Sequence, residues 1–168
     1  GKAAISIEPA TGLSEHNKRV LKLAVSDAGD SRVALANPGY WGIALKRGEA
    51  YEFSLRARSE SFKGPLTIAL ESQDHTILAE KKLTGLSGGW QTFKGSLKPD
   101  RTDAAARLVL SVKQPTTVWL DMVSLFPKQT WKKRSNGLRA DLAQMLDDLK
   151  PAFVRFPGGC WVEGETMA

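Results

Sequence analysis

Short runs of alternating apolar and polar residues recur through the first 126 residues, and this pattern constrains the fold more than any other feature of the chain. The clearest run is 51–58, where Tyr51, Phe53, Leu55 and Ala57 alternate with polar or charged residues. Successive side chains of a β-strand point to opposite faces, so such a run is typical of a strand with one buried face. Similar runs lie at 21–25, 66–70, 108–112 and 118–125.

Turn-forming residues separate these runs, among them the Gly-Pro pair at 64–65 and the Gly pair at 88–89. Repeated short strands with such turns between them, and no long helical period, favour an all-β domain. We therefore predict a mainly β fold over residues 1–127, an antiparallel β-sandwich of the jelly-roll type.

The pattern changes after Pro127, where apolar residues begin to recur at helical spacing. Ser135 or Asn136 is placed to cap a helix, and Pro151 is placed to end it. The apolar residues that would share one face of this helix are Leu138, Leu142, Met145, Leu146 and Leu149.

A compact apolar run at 152–156 follows the helix and predicts a short, buried strand that ends before Gly158 and Gly159. A helix followed by such a strand is the repeating unit of an α/β barrel, but one unit cannot close a barrel. We therefore expect residues 128–168 to be the truncated start of a (β/α)8 barrel, and the chain to be a segment of a longer protein.

Three motifs lie near the end of the chain: Asp-Met-Val-Ser-Leu-Phe-Pro at 121–127, Asn-Gly-Leu-Arg at 136–139, and Arg-Phe-Pro-Gly-Gly-Cys-Trp-Val-Glu-Gly at 155–164. Together they closely resemble the α-L-arabinofuranosidases of glycoside hydrolase family 51. Residues 37–43, 48–51 and 89–90 resemble, more loosely, the sandwich insert that plant-type and related bacterial members carry before the barrel. This insert is similar to carbohydrate-binding modules and to galactose-binding domains.

The resemblance implies a retaining hydrolase that releases terminal α-L-arabinofuranosyl groups from arabinan or arabinoxylan, and that requires no cofactor. Such an enzyme uses two carboxyl groups about 5–5.5 Å apart. In the family both are glutamates on later barrel strands, so no residue of this chain is assigned as catalytic and the chain alone is expected to be inactive. A polysaccharide-degrading parent protein is expected to be extracellular or periplasmic.

The resemblance also assigns substrate-binding residues near the end of the chain. Arg155 is expected beside the nucleophile, where a guanidinium favours the ionised carboxylate. Cys160 is expected to line the sugar subsite, where many bacterial members have Asn, and Trp161 and Glu163 stand on the loop that follows. From the residues alone, Arg155 is equally a structural ion-pair partner, and Cys160 is a small, partly buried side chain.

Aromatic residues of the sandwich are candidates for stacking on sugar rings: Tyr40, Trp41, Trp90 and Trp119. Burial in the core is the alternative for each of them, most of all for Trp119 within a strand. Tyr40 and Trp41 follow a turn and are the two assigned to substrate binding. Asp121 resembles a structural calcium ligand of related sandwiches, although one carboxylate is a small part of the six to eight oxygens that calcium takes.

The net charge of +6 is spread over both parts of the chain, and only 128–134 holds a basic cluster, so we expect no nucleic-acid partner. No apolar stretch is long enough to predict a membrane span. The expected partners are an arabinose-containing polysaccharide and the rest of the catalytic barrel. A stand-alone carbohydrate-binding module and a purely structural sandwich remain alternatives.

Overall fold

A computed structural model describes residues 1–9, 18–62 and 64–155. Over these residues the chain forms ten β-strands and one α-helix, α1 (Ala140–Asp148), which follows a 3-10 turn at Trp131–Lys133. The strands are β1 (Lys2–Pro9), β2 (Arg19–Asp27), β3 (Val33–Asn37), β4 (Ile43–Leu45), β5 (Tyr51–Arg58), β6 (Leu66–Glu71), β7 (Ile77–Leu83), β8 (Gln91–Leu97), β9 (Asp103–Val112) and β10 (Thr116–Pro127).

The strands form two antiparallel sheets over the described residues. The first sheet has the order β1-β2-β10-β5-β8, and the second has the order β3-β9-β6-β7, with β4 also paired to β9. The chain passes repeatedly from one sheet to the other, as it does in a jelly roll. The predicted antiparallel β-sandwich is confirmed.

Alternation in the sequence decides which face of each strand enters the core. In β5, Phe53, Leu55 and Ala57 are almost fully buried, while the residues between them point outward. The second sheet contributes the same pattern, with Ile68 of β6 and Leu110 of β9 in the core. Burying these aliphatic and aromatic side chains is the main favourable contribution to folding.

Contacts within the chain divide it into two units, Gly1–Lys128 and Gln129–Ala168. The division falls one residue after the predicted end of the sandwich at 127. The first unit contains all ten described strands, and the second contains the 3-10 turn and α1.

The C-terminal helix is present, but the prediction that Ser135 or Asn136 caps it is wrong. The residue before the helix is Arg139, and it makes no side-chain capping bond. The backbone N–H of Trp131 donates to the carbonyl of Leu138, and a β-bridge joins Arg139 to Thr130. Because these bonds hold 138–139 extended, the helix begins only at Ala140.

The predicted strand at 152–156 is absent over its described residues, 152–155. Phe153 and Val154 are 82% and 76% exposed, and the sheet pairings of the described chain include no partner for this run. An apolar run without a neighbouring strand cannot satisfy its backbone in a sheet. The apolar stripe of the helix is also exposed: Leu138, Leu142, Met145, Leu146 and Leu149.

Candidate functional site

The loop with Tyr40 and Trp41 interrupts one edge of the second sheet. β3 ends at Asn37, which pairs with Leu108 of β9, and β4 begins at Ile43, which pairs with Ala106 of the same strand. The two short strands therefore lie end to end along β9. The intervening residues 38–42, here called the aromatic loop, leave the sheet between them.

Two glycines and one asparagine shape the aromatic loop. The side-chain oxygen of Asn37 accepts a hydrogen bond from the backbone N–H of Gly39 at 2.9 Å, and Gly39 has a φ of +67°. Gly42 has a φ of +96°, and a Cβ at this position would lie 2.4 Å from Cα of Ala105. Gly42 therefore allows both the left-handed conformation and the close return of the loop to β9.

Tyr40 and Trp41 are 87% and 88% exposed. Their ring centroids are 4.6 Å apart, and the ring planes meet at 72°, an edge-to-face pair. Aromatic pairs prefer this edge-to-face geometry, and here it leaves most of each residue's surface exposed. The sandwich thus presents two solvent-exposed aromatic rings, and stacking on a sugar requires such exposed rings.

An apolar cleft of about 520 Å³ lies between the two sheets, and its lining includes Leu21, Leu120 and Pro38 of the aromatic loop. A second cavity, of about 350 Å³, lies on the outer face of the second sheet and is called the polar cavity below. Its floor is formed by the small side chains of Ala34, Ala36 and Val109. Its walls are formed by polar and charged residues: Ser31, Arg32, Glu71, His75 and Arg107.

Strand register brings the polar cavity next to the aromatic loop. Arg107 of β9 pairs on one side with Glu71 of β6. On its other side Arg107 lies between Ala106, opposite Ile43, and Leu108, opposite Asn37. Arg107 therefore stands beside the point where the aromatic loop leaves the sheet.

Glu71 is the central charge of the polar cavity and is fully buried. Its Oε1 lies 2.6 Å from Nη1 of Arg32, and its Oε2 lies 3.3 Å from Nη2 of Arg107. The same Arg107 nitrogen contacts Nδ1 of His75. A buried carboxylate is costly without cations beside it, so the two guanidinium groups explain how Glu71 is tolerated here.

The polar cavity keeps unused hydrogen-bonding capacity. Oε1 of Glu71 receives no well-directed hydrogen bond despite its short ion pair, and buried Nε of Arg107 has no hydrogen-bond partner among the described residues. Buried polar atoms are nearly always bonded in folded proteins. These two atoms therefore keep hydrogen-bonding capacity that the described residues do not use.

The turn that holds His75 is stabilised by Asp74. The hydroxyl of Ser72 donates to Oδ1 of Asp74, and the backbone N–H of Thr76 donates to the same oxygen at 3.1 Å. These hydrogen bonds, that of Ser72 first, lower the pKa of Asp74 from 3.8 to about 2. His75 itself has a φ of +69°, a conformation that the turn must hold in place.

Trp90 and Trp119 lie on the outer face of the first sheet, and both are half-buried. The guanidinium of Arg58 lies 4.1 Å from the ring centroid of Trp119 and 5.6 Å from that of Trp90. Nζ of Lys22 lies 5.6 Å from the centroid of Trp119. The cations already occupy the vicinity of these rings, so the two tryptophans are poorer stacking platforms than Tyr40 and Trp41.

Glu8 extends this arrangement at the edge of the first sheet. Nε1 of Trp119 donates to Oε2 of Glu8 at 3.1 Å, and Nζ of Lys22 lies 2.8 Å from Oε1. The hydrogen bond from Lys22, and then that from Trp119, lower the pKa of Glu8. Glu8, Lys22, Arg58, Trp90 and Trp119 are called the cation–π ribbon below.

Of the remaining predicted site residues, the structure describes some and not others. Arg155 is exposed at the end of the described residues. Cys160, Trp161 and Glu163 lie outside the described residues. Asp121 lies beside a register shift in β10, and its side chain accepts a hydrogen bond from the backbone N–H of Met122. The described part of the chain has no group of three or more His, Cys, Asp or Glu residues that could hold a metal ion. Calcium binding stays a prediction.

Sequence reasoning identified the aromatic loop but missed the polar cavity. Glu71 and Arg107 occupy outward positions of two otherwise apolar strands, which is the signal that could have drawn attention to them. Glu71 and Arg107 are paired by the register of β6 against β9, which cannot be read from local sequence. Across the described residues, no helix is sufficiently long and apolar to span a membrane.

The fold and this surface define a jelly-roll β-sandwich with an aromatic loop and a polar cavity on one side. Residues 10–117 match the carbohydrate binding domain family, and the chain belongs to this family. A solved structure described as a carbohydrate-binding module of family 4 shares the fold, with a TM-score of 0.53 and 20% identity over 74% of this chain and 77% of that one.

Other similarities extend beyond the sandwich. The chain is 39% identical to an extracellular exo-α-L-arabinofuranosidase of Streptomyces chartreusis, over 96% of this chain and 18% of the relative. It is 36% identical to α-L-arabinofuranosidase 1 of Arabidopsis thaliana, over 92% of this chain and 24% of the relative. It superimposes on an arabinose-bound α-L-arabinofuranosidase of family 51 with a TM-score of 0.88 and 31% identity, over 99% of this chain and 28% of that one.

The chain therefore spans about a quarter, or less, of the length of these relatives.

Proposed function

We propose that the chain is the sandwich module and the beginning of the catalytic domain of an α-L-arabinofuranosidase. One observation carries this proposal: similarity to the arabinose-bound family 51 structure extends over 99% of the chain, whereas that to the family 4 module covers 74%. A stand-alone binding module would account for the sandwich but not for similarity beyond it. The parent enzyme would release terminal α-L-arabinofuranosyl groups from arabinan or arabinoxylan.

Catalysis by the parent enzyme would be retaining, with a nucleophile and an acid/base carboxyl group about 5–5.5 Å apart. We assign neither group to this chain. Arg155 would hold the nucleophile ionised, and Cys160, Trp161 and Glu163 would line or approach the sugar subsite. We expect no hydrolysis of an aryl α-L-arabinofuranoside by this chain alone; turnover above background would contradict the absence of the catalytic pair.

The tail of the chain would pack against the rest of the catalytic domain. Its helix exposes an apolar stripe, and Phe153 and Val154 beyond the helix are also exposed. Contiguous exposed apolar surface of this kind marks an interaction site. An extracellular or periplasmic location would suit a polysaccharide-degrading enzyme, and the Streptomyces relative is named as extracellular.

The sandwich would bind an arabinose-containing polysaccharide through the aromatic loop. The open rings of Tyr40 and Trp41 would stack on the apolar faces of sugar rings. Calorimetric titration with arabino- and arabinoxylo-oligosaccharides would test this. Trp41→Ala should weaken binding about tenfold or more, the equivalent of about 1.4 kcal/mol, while Trp41→Phe should retain part of the affinity.

Trp41 is a suitable position for this test because substitution of an exposed side chain changes stability little, usually within about 0.5 kcal/mol. Equal affinity of the wild-type chain and Trp41→Ala would contradict the proposed role of the aromatic loop. Absence of binding to every oligosaccharide would favour the structural alternative, in which the sandwich only supports the catalytic domain.

A further inference from the structure

We propose that the polar cavity binds the carboxylate of an acidic sugar within the glycan that the aromatic loop holds. This inference rests on the proposed glycan binding and specifies its substrate class. It assigns a site to Arg32, Glu71, His75 and Arg107, all of which belong to the sandwich unit.

The shape of the polar cavity fits a small polar group. Three small side chains, Ala34, Ala36 and Val109, form the floor, and the longer charged side chains rise around it. Its volume of about 350 Å³ lies at the lower end of the range for small-molecule sites, about 300–1,000 Å³. A single substituent of a sugar chain would fill such a space better than an extended backbone would.

The charge of the polar cavity favours an anion. Two guanidinium groups face one carboxylate, so Arg32, Arg107 and Glu71 together carry one excess positive charge. Asp74 precedes His75 in the chain and has its Oδ1 bonded to Ser72 and Thr76, and Nη2 of Arg101 lies 3.5 Å from the same Ser72 hydroxyl. These two additional charges are opposite in sign and leave the excess unchanged.

Donors in the polar cavity also outnumber acceptors. Each guanidinium has five N–H donors, and Glu71 takes up one nitrogen of Arg32 and one of Arg107. Nε of Arg107 is buried without a hydrogen-bond partner. A second carboxylate, from a ligand, is the acceptor that matches the planar donor groups of arginine.

Glu71 acts here as a positioning residue. Its two oxygens are held by different arginines, so the carboxylate fixes the separation and orientation of the two guanidinium groups. The register of β9 then places Arg107 beside the aromatic loop. A glycan stacked on Trp41 could therefore direct a charged substituent into the polar cavity.

The test compares two ligands that differ only in charge. The probes are a xylo-oligosaccharide that carries one glucuronic acid and the same oligosaccharide after reduction of its carboxyl group to an alcohol. The wild-type chain should bind the acidic probe about tenfold or more tightly, because hydrogen bonds to charged groups are the stronger ones. This preference should shrink as ionic strength rises.

Substitutions of the two arginines and of Trp41 test whether the polar cavity causes the preference for the acidic probe. Arg107→Gln and Arg32→Gln should each abolish the preference by weakening the acidic probe more than the reduced probe, whereas Trp41→Ala should weaken both probes. Equal wild-type affinity for the two probes would overturn the carboxylate site while leaving glycan binding intact. A preference that persists in both arginine variants would also overturn it.

Failure of both probes to bind would overturn this inference together with the proposed glycan binding. If an arginine variant does not fold, the wild-type comparison decides on its own: a salt-sensitive preference for the acidic probe supports the site, and its absence contradicts it.

Discussion

The two outer faces of the sandwich use aromatic residues in opposite ways. On the first sheet, Trp90 and Trp119 are half-buried in the cation–π ribbon, with Arg58 near both rings. At the edge of the second sheet, Tyr40 and Trp41 of the aromatic loop are almost fully exposed, and their rings form an edge-to-face pair. The difference shows that the place of an aromatic ring in the fold, on a loop or beside cations on a sheet, decides whether it remains open for a ligand.

The two faces also differ in how their charges are satisfied. In the cation–π ribbon, Lys22 and the indole of Trp119 both bond to Glu8, so cation, ring and carboxylate satisfy one another. In the polar cavity, the charged groups of Glu71 and Arg107 each keep a buried atom without a hydrogen bond, whereas in the ribbon the unbonded atom is Nε1 of the uncharged Trp90. We therefore expect substitutions in the ribbon to change stability alone, and substitutions on the other face to change binding as well.

The largest expected effect on stability comes from Glu71→Ala. This change leaves the mostly buried Arg32 and Arg107 side by side without their shared carboxylate. Removing one partner from a buried ion pair typically costs about 3–5 kcal/mol, and the partial exposure of the arginines places the expected loss near the lower value. Urea unfolding measures it, with the exposed Glu80→Ala as the control.

A loss for Glu71→Ala no larger than that for Glu80→Ala would show that the charges of the polar cavity are already solvated. It would also mean that the two faces of the sandwich do not differ in how their charges are satisfied.

Gly42→Ala should be the next most costly change, at about 2–3 kcal/mol. The substitution forces a residue with a Cβ into the left-handed region and against the backbone at Ala105. Gly85→Ala is a matched control, because its φ is +81° but a Cβ would meet nothing within 4 Å. We expect about 1 kcal/mol for the control, from backbone strain alone.

Equal losses at Gly42 and Gly85 in urea unfolding would mean that the close approach to β9 does not constrain the aromatic loop. A larger loss for Gly42→Ala, together with weakened glycan binding, would link the conformation of the loop to its function.

Arg58→Ala should lower the free energy of unfolding by about 1 kcal/mol, because it removes the guanidinium between Trp119 and Trp90. Arg58→Lys keeps a cation and should lose less. Glycan affinity, measured by calorimetry, should remain that of the wild-type chain in both variants. Weaker binding in Arg58→Ala would assign a ligand role to the cation–π ribbon instead.

The smallest expected effect is on the pH dependence of stability. Asp74 has a pKa of about 2 in the folded chain, below its ordinary value of 3.8. Its stabilising contribution is therefore fully present above about pH 4 and is lost as the pH falls through about 2. Asp74→Asn should be less stable than the wild-type chain at about pH 5, and the difference should become much smaller near pH 2.

Urea unfolding at both pH values measures this difference. A gap between wild-type and Asp74→Asn chains that does not narrow on acidification would show that the hydrogen bonds to Asp74 do not depend on its charge.

Alternation in the sequence predicted much of the sandwich. The run 51–58 became β5 with the same limits, and Leu66 to Leu70 lie within β6. β1, β3, β4, β7 and β8 were not picked out, in part because edge strands bury fewer side chains: β1 is exposed along nearly its whole length. The predicted helical cap failed because backbone bonds at Leu138 and Arg139 delayed the helix start.

The candidate site was predictable only where it depends on local sequence. Tyr40 and Trp41 follow an Asn-Pro-Gly turn, so their exposure could be expected from the residues themselves. The polar cavity joins Arg32, Glu71 and Arg107 from three strands or their flanks, and its existence depends on strand order and register. No local pattern contains that information.

The indole N–H signals of the tryptophans in a two-dimensional NMR spectrum test the central claim most directly. The chain has five tryptophans, of which Trp41, Trp90 and Trp119 lie in the sandwich. On titration with an arabinoxylo-oligosaccharide, the Trp41 signal should shift in a saturable manner while the Trp90 and Trp119 signals stay in place. A saturable shift of Trp90 or Trp119 with an unmoved Trp41 would contradict the account.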